Sequence, residues 1–342
     1  MNLKYYIDLF LNGFCYFHRL RHSFGYPMIF QIETTNACAM NCRMCPRKDM
    51  KRKIGFMDID LFKKIVDQLK GYTRELFLHH FGDPLLHSKL FEMIDYADEK
   101  GIKTKLSTNP VSMRPEINDK ILKSKLDYLH ISLDGTDEKT YKFLRGNNAD
   151  YKKGIKYIED FLLKKNRLKQ EKPYVVLAII RMKETEKEIK QFKDYWGKKL
   201  GVNKIEIKQF RTWDGSNKEI NKMADESYLS NRYKNPTKYA CFQPWLWVTV
   251  LWDGRVVPCC YDYEGKYVLG DLKRQSLKEI WNGKRMKELR RQNMTNDFKN
   301  NPLCANCREK GGAKKSRLYP LNLVLNKRFR SDFFDYFRTL VK

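Results

Sequence analysis

Six short runs of β-forming residues, each followed by a stretch with helical spacing, occur between Ile29 and Phe210. They read "IFQIETT", "ELFLHHFGDP", "KTKLSTN", "LDYLHISLDG", "YVVLAIIRM" and "KIEIKQF". Between them, "DIDLFKKIVDQL" carries Asp58 as an N-cap ahead of apolar residues at helical intervals, and a second helix is expected from Ser88 to Lys100, ended by Gly101. Such a series builds either an open doubly wound sheet or an incomplete (β/α)6 barrel. In both, ligands collect where the strands end. The residues with chemistry to offer fall at those ends. Cysteines follow the first strand, Gly82-Asp83 the second and Asn109 the third, while Ser132 and Asp134 sit at the fourth. Arg181, Lys208 and Arg211, at later strand ends, are candidates for substrate contact.

After Phe210 the texture changes. A polar stretch from Thr212 to Tyr239 reads as a linker. "WLWVTVLWDGRVVPCC" is then a hairpin turning at Asp253-Gly254, followed by helical runs at Ser276–Trp281 and Lys284–Asn293 and by "CANC". The expected organisation is an N-terminal amphipathic segment (1–27), a βα core (28–215), a linker (216–240), a cysteine-bearing domain (241–310) and a basic amphipathic C-terminal helix (311–342).

The N-terminal stretch "YYIDLFLNGFCYFHRL" contains Asp8, Asn12, Gly13 and His18 and lacks a small-residue cleavage site, so a secretory signal is not expected. It is too short and too polar to span a bilayer. A cytoplasmic location follows, where thiols stay reduced and clustered cysteines serve as metal ligands. Lys and Arg number 68 against 41 Asp and Glu, a formal charge of +27. That charge suits an anionic partner or simply solvated faces, and its scatter along the chain forms no nucleic-acid module. Residues 308–342 alone hold ten Lys or Arg against three Asp or Glu, with Phe and Leu interleaved, a composition that could rest on the inner face of an anionic membrane.

The nine cysteines fall into groups. Cys38, Cys42 and Cys45 lie in one loop, "CAMNCRMC". Zinc sites use four ligands, so a zinc reading needs a distant partner such as His79 or His80. Three thiolates suit a cubane iron–sulfur cluster with one iron left open. The C-x3-C-x2-C spacing after the first strand resembles the radical S-adenosylmethionine (radical SAM) superfamily. This resemblance implies a [4Fe-4S] cluster on Cys38, Cys42 and Cys45 whose open iron binds SAM. Gly82-Asp83-Pro84 resembles the family's Gly-Gly-Glu-Pro motif, with Phe81 replacing the first glycine and Asp83 the glutamate. Ser132 in "ISLDG" and Arg145 in "YKFLRG" match positions near the SAM ribose and carboxylate, and Asn109 joins this set. Met44 would pack on the adenine; Ile179 lines the adenine pocket or is plain core. The chemistry so implied is reductive cleavage of SAM to a 5′-deoxyadenosyl radical that takes a hydrogen atom from a substrate.

Cys241, Cys259, Cys304 and Cys307 resemble the SPASM extension in its short twitch form, which implies one auxiliary [4Fe-4S] cluster. The pattern is similar to 2-deoxy-scyllo-inosamine dehydrogenase-type twitch enzymes. Structural zinc is the alternative for these four cysteines. Cys260 is a substitute ligand, a hydrogen-atom donor or a small buried residue, and Cys15 reads as core. The resemblance implies a radical SAM oxidoreductase that dehydrogenates a sugar or cyclitol, with a reductant such as flavodoxin or ferredoxin. Alternatives are a radical sugar epimerase, a peptide-modifying maturase and a zinc-stabilised basic nucleic-acid binder. A small molecule, including a lipid-linked sugar, is expected ahead of a peptide, because about 27 residues precede the first strand and peptide-modifying relatives often carry an additional recognition domain there.

Overall fold

A computed structural model of the chain describes residues 3–224 and 241–307. Six parallel strands form in the expected places: β1 (Ile29–Ile32), β2 (Glu75–Phe77), β3 (Lys103–Thr108), β4 (Tyr128–Ser132), β5 (Tyr174–Arg181) and β6 (Lys204–Gln209). Each lies beside its sequence neighbour, in the order β6-β5-β4-β3-β2-β1. A doubly wound sheet reverses its strand order partway, and this one does not, so the open alternative falls and the arc of an incomplete barrel remains.

Side chains alternate along the strands with period two. One face, carrying Phe30, Ile32, Leu76, Leu106, Leu129, Ile131, Leu177 and Ile179, is buried. It shares a continuous core with the helices, for example α2 (Ile59–Leu69), whose Leu61, Phe62, Ile65, Val66 and Leu69 are buried. Burying each such side chain contributes about 1.5–3 kcal/mol. Asp58 caps α2 as expected, accepting from Asp60 N at 3.0 Å and Leu61 N at 3.1 Å. The opposite face, toward the barrel lumen, carries Gln31, Lys105, Ser107, His130, Ser132, Glu206 and Lys208. An apolar outside and a polar inside make the barrel a cup.

The Asp253-Gly254 hairpin also forms, between β7 (Trp247–Val250) and β8 (Arg255–Val257), with Gly254 at φ +91°. Its first strand runs parallel to β1, pairing Ile29 with Trp247 through Ile32 with Val250. The hairpin expected to stand in its own domain therefore extends the barrel sheet, which reaches nine strands with β9 (Gly270–Asp271). Strand β1 is thus hydrogen-bonded on both sides, to β2 and to β7.

Helix α1 (Leu3–Phe17) closes the bottom of the cup. Its Tyr5, Leu9, Cys15 and Tyr16 pack with Ile29, Phe77, Trp245 and Trp247 into a second apolar cluster. The segment after α1 is clamped by indole and guanidinium groups from the C-terminal part. Trp245 Nε1 donates to Leu20 O at 2.9 Å and Trp281 Nε1 to Gly25 O at 2.8 Å. Arg290 is fully buried on the helix Lys284–Thr295 and stacks 4.6 Å from the Trp281 ring. It donates to Pro244 O at 2.9 Å, Arg21 O at 3.0 Å and Asn282 Oδ1 at 2.9 Å. No described helix is long and apolar enough to cross a membrane. The expected C-terminal helix (311–342) and most of the linker lie outside the described residues.

Arg290→Met keeps the aliphatic stem but takes the guanidinium donors from the Pro244 and Arg21 carbonyls, while Asn282 Oδ1 still accepts from Ser23 N. It is expected to cost about 3 kcal/mol of stability, read as a lowered denaturant midpoint at unchanged slope.

Candidate active site

The chain leaves β1 through Glu33, Thr34 and Thr35 and enters the cysteine loop. Cys42 is buried, with Cys38 and Cys45 half-buried on either side. Burial first, then the neighbouring Cys42, pushes the Cys45 thiol up to about 12. Burial and then the Asp83 carboxylate push Cys38 up to about 11, with Cys42 adding to both groups' reluctance to ionise. Three desolvated sulfurs close enough to repel one another as thiolates fit a cationic iron cluster, which supplies the missing positive charge. Among the described residues no three His, Cys, Asp or Glu side chains are arranged to hold a single ion. A cubane asks for something else, with each thiolate on its own iron corner.

Backbone contacts hold the loop in place. Arg43 N donates to Leu144 O at 2.8 Å, Asn148 Nδ2 to Ala39 O at 2.9 Å, and Arg47 Nη2 to Met40 O at 2.9 Å. Met44 is buried, and its carbonyl accepts from Trp213 Nε1 at 2.9 Å.

Gly82 is the tightest point of the site. Its φ is +141°, and a Cβ there would lie 2.3 Å from Thr35 O and 2.7 Å from Asn36 Cα. Only glycine lets the loop after β2 lie against the backbone leading into the cysteines. Asp83 N then donates to Ala37 O at 2.7 Å, one residue before Cys38. The Asp83 carboxylate is spent within the scaffold. It caps the short turn beginning at Pro84 through Leu85 N at 3.1 Å, and accepts from Thr108 Oγ1 at 2.8 Å and from Asn109 Nδ2. Burial pushes that carboxyl up, against these hydrogen bonds. Asn109 therefore meets the second-strand motif directly.

Arg145, at the end of the helix Glu138–Arg145, is also engaged. It pairs with Asp134, donates to Ser132 O at 2.9 Å and reaches Cys42 Sγ at 3.5 Å, leaving its buried Nε without a partner. Burial opposes its charge, but Asp134 and the Cys42 sulfur hold its pKa above the ordinary value. The guanidinium expected at a SAM carboxylate is thus anchored on the fourth strand and the cysteine loop. Asp134 links the site onward, accepting from Ile180 N at 2.7 Å. Ile179 has two expected roles, adenine-pocket lining and plain core. It shares the buried, helix-facing side of β5 with Leu177, whereas Ile180, in register with Lys208, is on the lumen side. Strand alternation makes Ile179 core and Ile180 the residue nearer a ligand.

In the C-terminal part, burial and then Cys260, Cys304 and Cys307 push the Cys259 thiol well up, which places these four thiols together. Asn301 Oδ1 accepts from Cys304 N at 3.0 Å, and Asn293 Oδ1 holds Cys241 N at 3.2 Å. Cys260 packs against the apolar floor cluster, and Cys15 is fully buried in it.

Glu33 and Arg52 escaped the sequence reading. Glu33 is fully buried at the exit of β1, where Arg52 grips it with bonds of 2.9 and 2.7 Å. His80 Nδ1 lies 3.3 Å from Glu33 Oε1, and its Nε2 lies 3.0 Å from Cys260 O. Trp252 N donates to Glu33 at 3.2 Å, and Arg52 Nε to Tyr263 O at 2.6 Å. Burial raises the cost of the Glu33 charge, but His80 and Arg52 hold its carboxyl below the usual range. With both ring nitrogens so occupied, His80 is not placed to complete a zinc site on the cysteine loop. The one available signal was an acidic residue closing an otherwise apolar strand run, "IFQIE".

Residues 32–195 match the family model of the radical SAM superfamily, and residues 241–308 match that of SPASM, an iron–sulfur cluster-binding domain. The chain carries a radical SAM domain followed by a C-terminal SPASM domain. Two curated relatives and two solved structures show the range of its likenesses. The AdoMet-dependent heme synthase of Methanosarcina barkeri is 25% identical over 134 residues, 39% of this chain and 38% of that protein. The match thus spans well under half of that relative's length. The tungsten-containing aldehyde ferredoxin oxidoreductase cofactor-modifying protein of Pyrococcus furiosus is 24% identical over 294 residues, 74% of this chain and 80% of that protein. SuiB of Streptococcus suis, bound to its precursor peptide SuiA, superposes with TM-score 0.60 at 15% identity over 77% of this chain and 66% of SuiB. BtrN, in complex with AdoMet and 2-DOIA, gives 0.51 at 16% identity over 82% of this chain and 92% of BtrN. The protein accordingly takes SAM and a [4Fe-4S] cluster in its core and an auxiliary iron–sulfur cluster in its SPASM domain.

Glu33→Ala would strand a buried guanidinium, and is expected to destabilise the fold by about 3–5 kcal/mol. Glu33→Gln, which retains an acceptor for Arg52, should lose clearly less, and chemical denaturation of the two variants compares them.

Proposed function

We propose that this radical SAM enzyme dehydrogenates a hydroxyl-bearing small molecule, a sugar or cyclitol, held in the barrel lumen. The reading rests on the polar inner wall above the apolar floor, where His79, Ser107, His130, Glu206 and Lys208 offer donors and acceptors to a hydroxylated ligand. When bound, the open cluster and SAM supply a 5′-deoxyadenosyl radical, and the auxiliary cluster supplies a one-electron acceptor. Cys38, Cys42 and Cys45 would hold the first cluster, with Cys241, Cys259, Cys304 and Cys307 holding the second. Gly82, Asp83 and Pro84 would present backbone to SAM, with Asn109, Ser132, Arg145 and Met44 shaping its pocket. The Glu33–Arg52–His80 contacts would keep the two cluster loops in fixed relation.

An acidic flavodoxin or ferredoxin suits a chain of net charge +27 as electron donor. Helix α1 supports peripheral membrane contact: Ile7, Phe10, Phe14 and Phe17 form one exposed apolar stripe at helical spacing. Two other outcomes keep a specific motivation. SuiB is bound to a precursor peptide, so a peptide substrate is the second reading, and Cys260 would be the hydrogen donor if the reaction were an epimerisation.

Anaerobic turnover with SAM and reductant in deuterated water separates them. Dehydrogenation predicts a product two mass units lighter than substrate with no deuterium on the reacting carbon. Solvent deuterium on that carbon at unchanged oxidation level would replace dehydrogenation with epimerisation.

A further inference from the structure

Three lumen side chains on three strands form a continuous hydrogen-bonded line. Ser107 Oγ on β3 lies 3.2 Å from His130 Nδ1 on β4, and His130 Nε2 lies 3.0 Å from Glu206 Oε2 on β6. Ser107 and His130 are register partners. Strand β5 runs between β4 and β6, and its lumen-face residues there, Val176 and Ala178, are small. A larger residue at 178 would block the path from the imidazole to the carboxylate. Burial and then the Lys208 charge, opposed by Glu206, push His130 down to about 4, while His130 and Lys208 hold Glu206 below the usual carboxyl range despite its burial. The ring is thus neutral. A carboxylate only accepts, so Nε2 carries the hydrogen, Nδ1 is the acceptor, and Ser107 donates to it.

This order of donors leaves the Ser107 oxygen with lone pairs for an incoming O–H. His130 and Glu206 are buried while Ser107 is half-exposed, so the chain opens to the lumen at its serine end. A second observation marks the same wall as a ligand site. His79 Nδ1, on the neighbouring strand end, is buried with no hydrogen-bond partner, and His130, Lys208 and His80 are its titratable neighbours.

We propose that Ser107, His130 and Glu206 form a proton relay that binds the reacting hydroxyl of the substrate and accepts its proton. The proposal rests on the dehydrogenation reading. As a secondary alcohol becomes a ketone, the hydrogen on the carbinol carbon leaves as an atom to the adenosyl carbon. The hydroxyl proton passes to Ser107 Oγ as that oxygen's own proton moves to His130 Nδ1 and the Nε2 proton moves on to the Glu206 carboxylate, so the buried ring ends neutral. The remaining electron leaves for the auxiliary cluster, a one-electron acceptor, as the carbonyl forms. The site therefore selects a polar substrate with a free hydroxyl on the carbon that loses its hydrogen.

The test is calorimetric titration of the anaerobic, cluster-loaded full chain with myo-inositol and with D-glucose, for the native protein, Ser107→Ala and Glu206→Gln. Binding of at least one probe is expected, weakened about three- to ten-fold in Ser107→Ala and also weakened in Glu206→Gln. Equal affinity in all three proteins overturns the relay, as does failure of the native protein to bind either probe at about 10 mM. Ser107→Ala removes one half-exposed oxygen and keeps the test valid if Glu206→Gln folds poorly. Iron content and substrate-free SAM cleavage of the native protein are measured alongside. Their absence from the native protein would instead refute the underlying radical SAM reading.

Discussion

A single buried carboxylate joins the parts of this molecule that must stay in register. Glu33 leaves the central strand β1 and meets Arg52 from the far side of the cysteine loop, His80 from the second-strand exit and the backbone at Trp252 from the hairpin. Each partner belongs to a different functional segment. Isolated in the interior, such a charge would cost several kcal/mol, and here that cost is offset only when all the segments are in place. The same interaction therefore couples folding of the cysteine loop and the second-strand exit to docking of the C-terminal domain. Through Cys260 O, His80 extends that coupling to the residue beside Cys259.

Sheet topology makes the arrangement possible. Because β7 adds in parallel beside β1, the SPASM hairpin is an edge of the barrel sheet. The two cysteine groups flank one continuous sheet, with the lumen opening beside them and α1 sealing the floor. A polar wall on a parallel sheet is costly to bury. Its hydrogen bonds are arranged so that the Ser107 oxygen and His79 Nδ1 remain to meet a ligand, which is where the structure departs from pure packing.

Much of this was legible in the chain. The six βα units, the Asp58 cap and the Asp253-Gly254 hairpin were each written in local pattern, and local pattern survived folding. Residues whose role depends on distant partners were hidden. Nothing near Glu33 or Arg52 reveals that they meet, and Ser107, His130 and Glu206 are brought together only by strand order. Ile179 stayed open between pocket and core for a related reason: a motif position says which strand, while the face follows from register. Asp83 and Arg145 were placed at the site, yet their charges are met by Thr108, Asn109 and Asp134, neighbours that no local spacing announces.

The central claim is that one site is left open for SAM by three thiolates while four others close a second cluster. Iron and sulfide content of the anaerobically purified protein measures this most directly. About eight irons are expected per chain, falling to about four when Cys38, Cys42 and Cys45 are all changed to Ala. Retention of the full iron content in that variant would contradict the account.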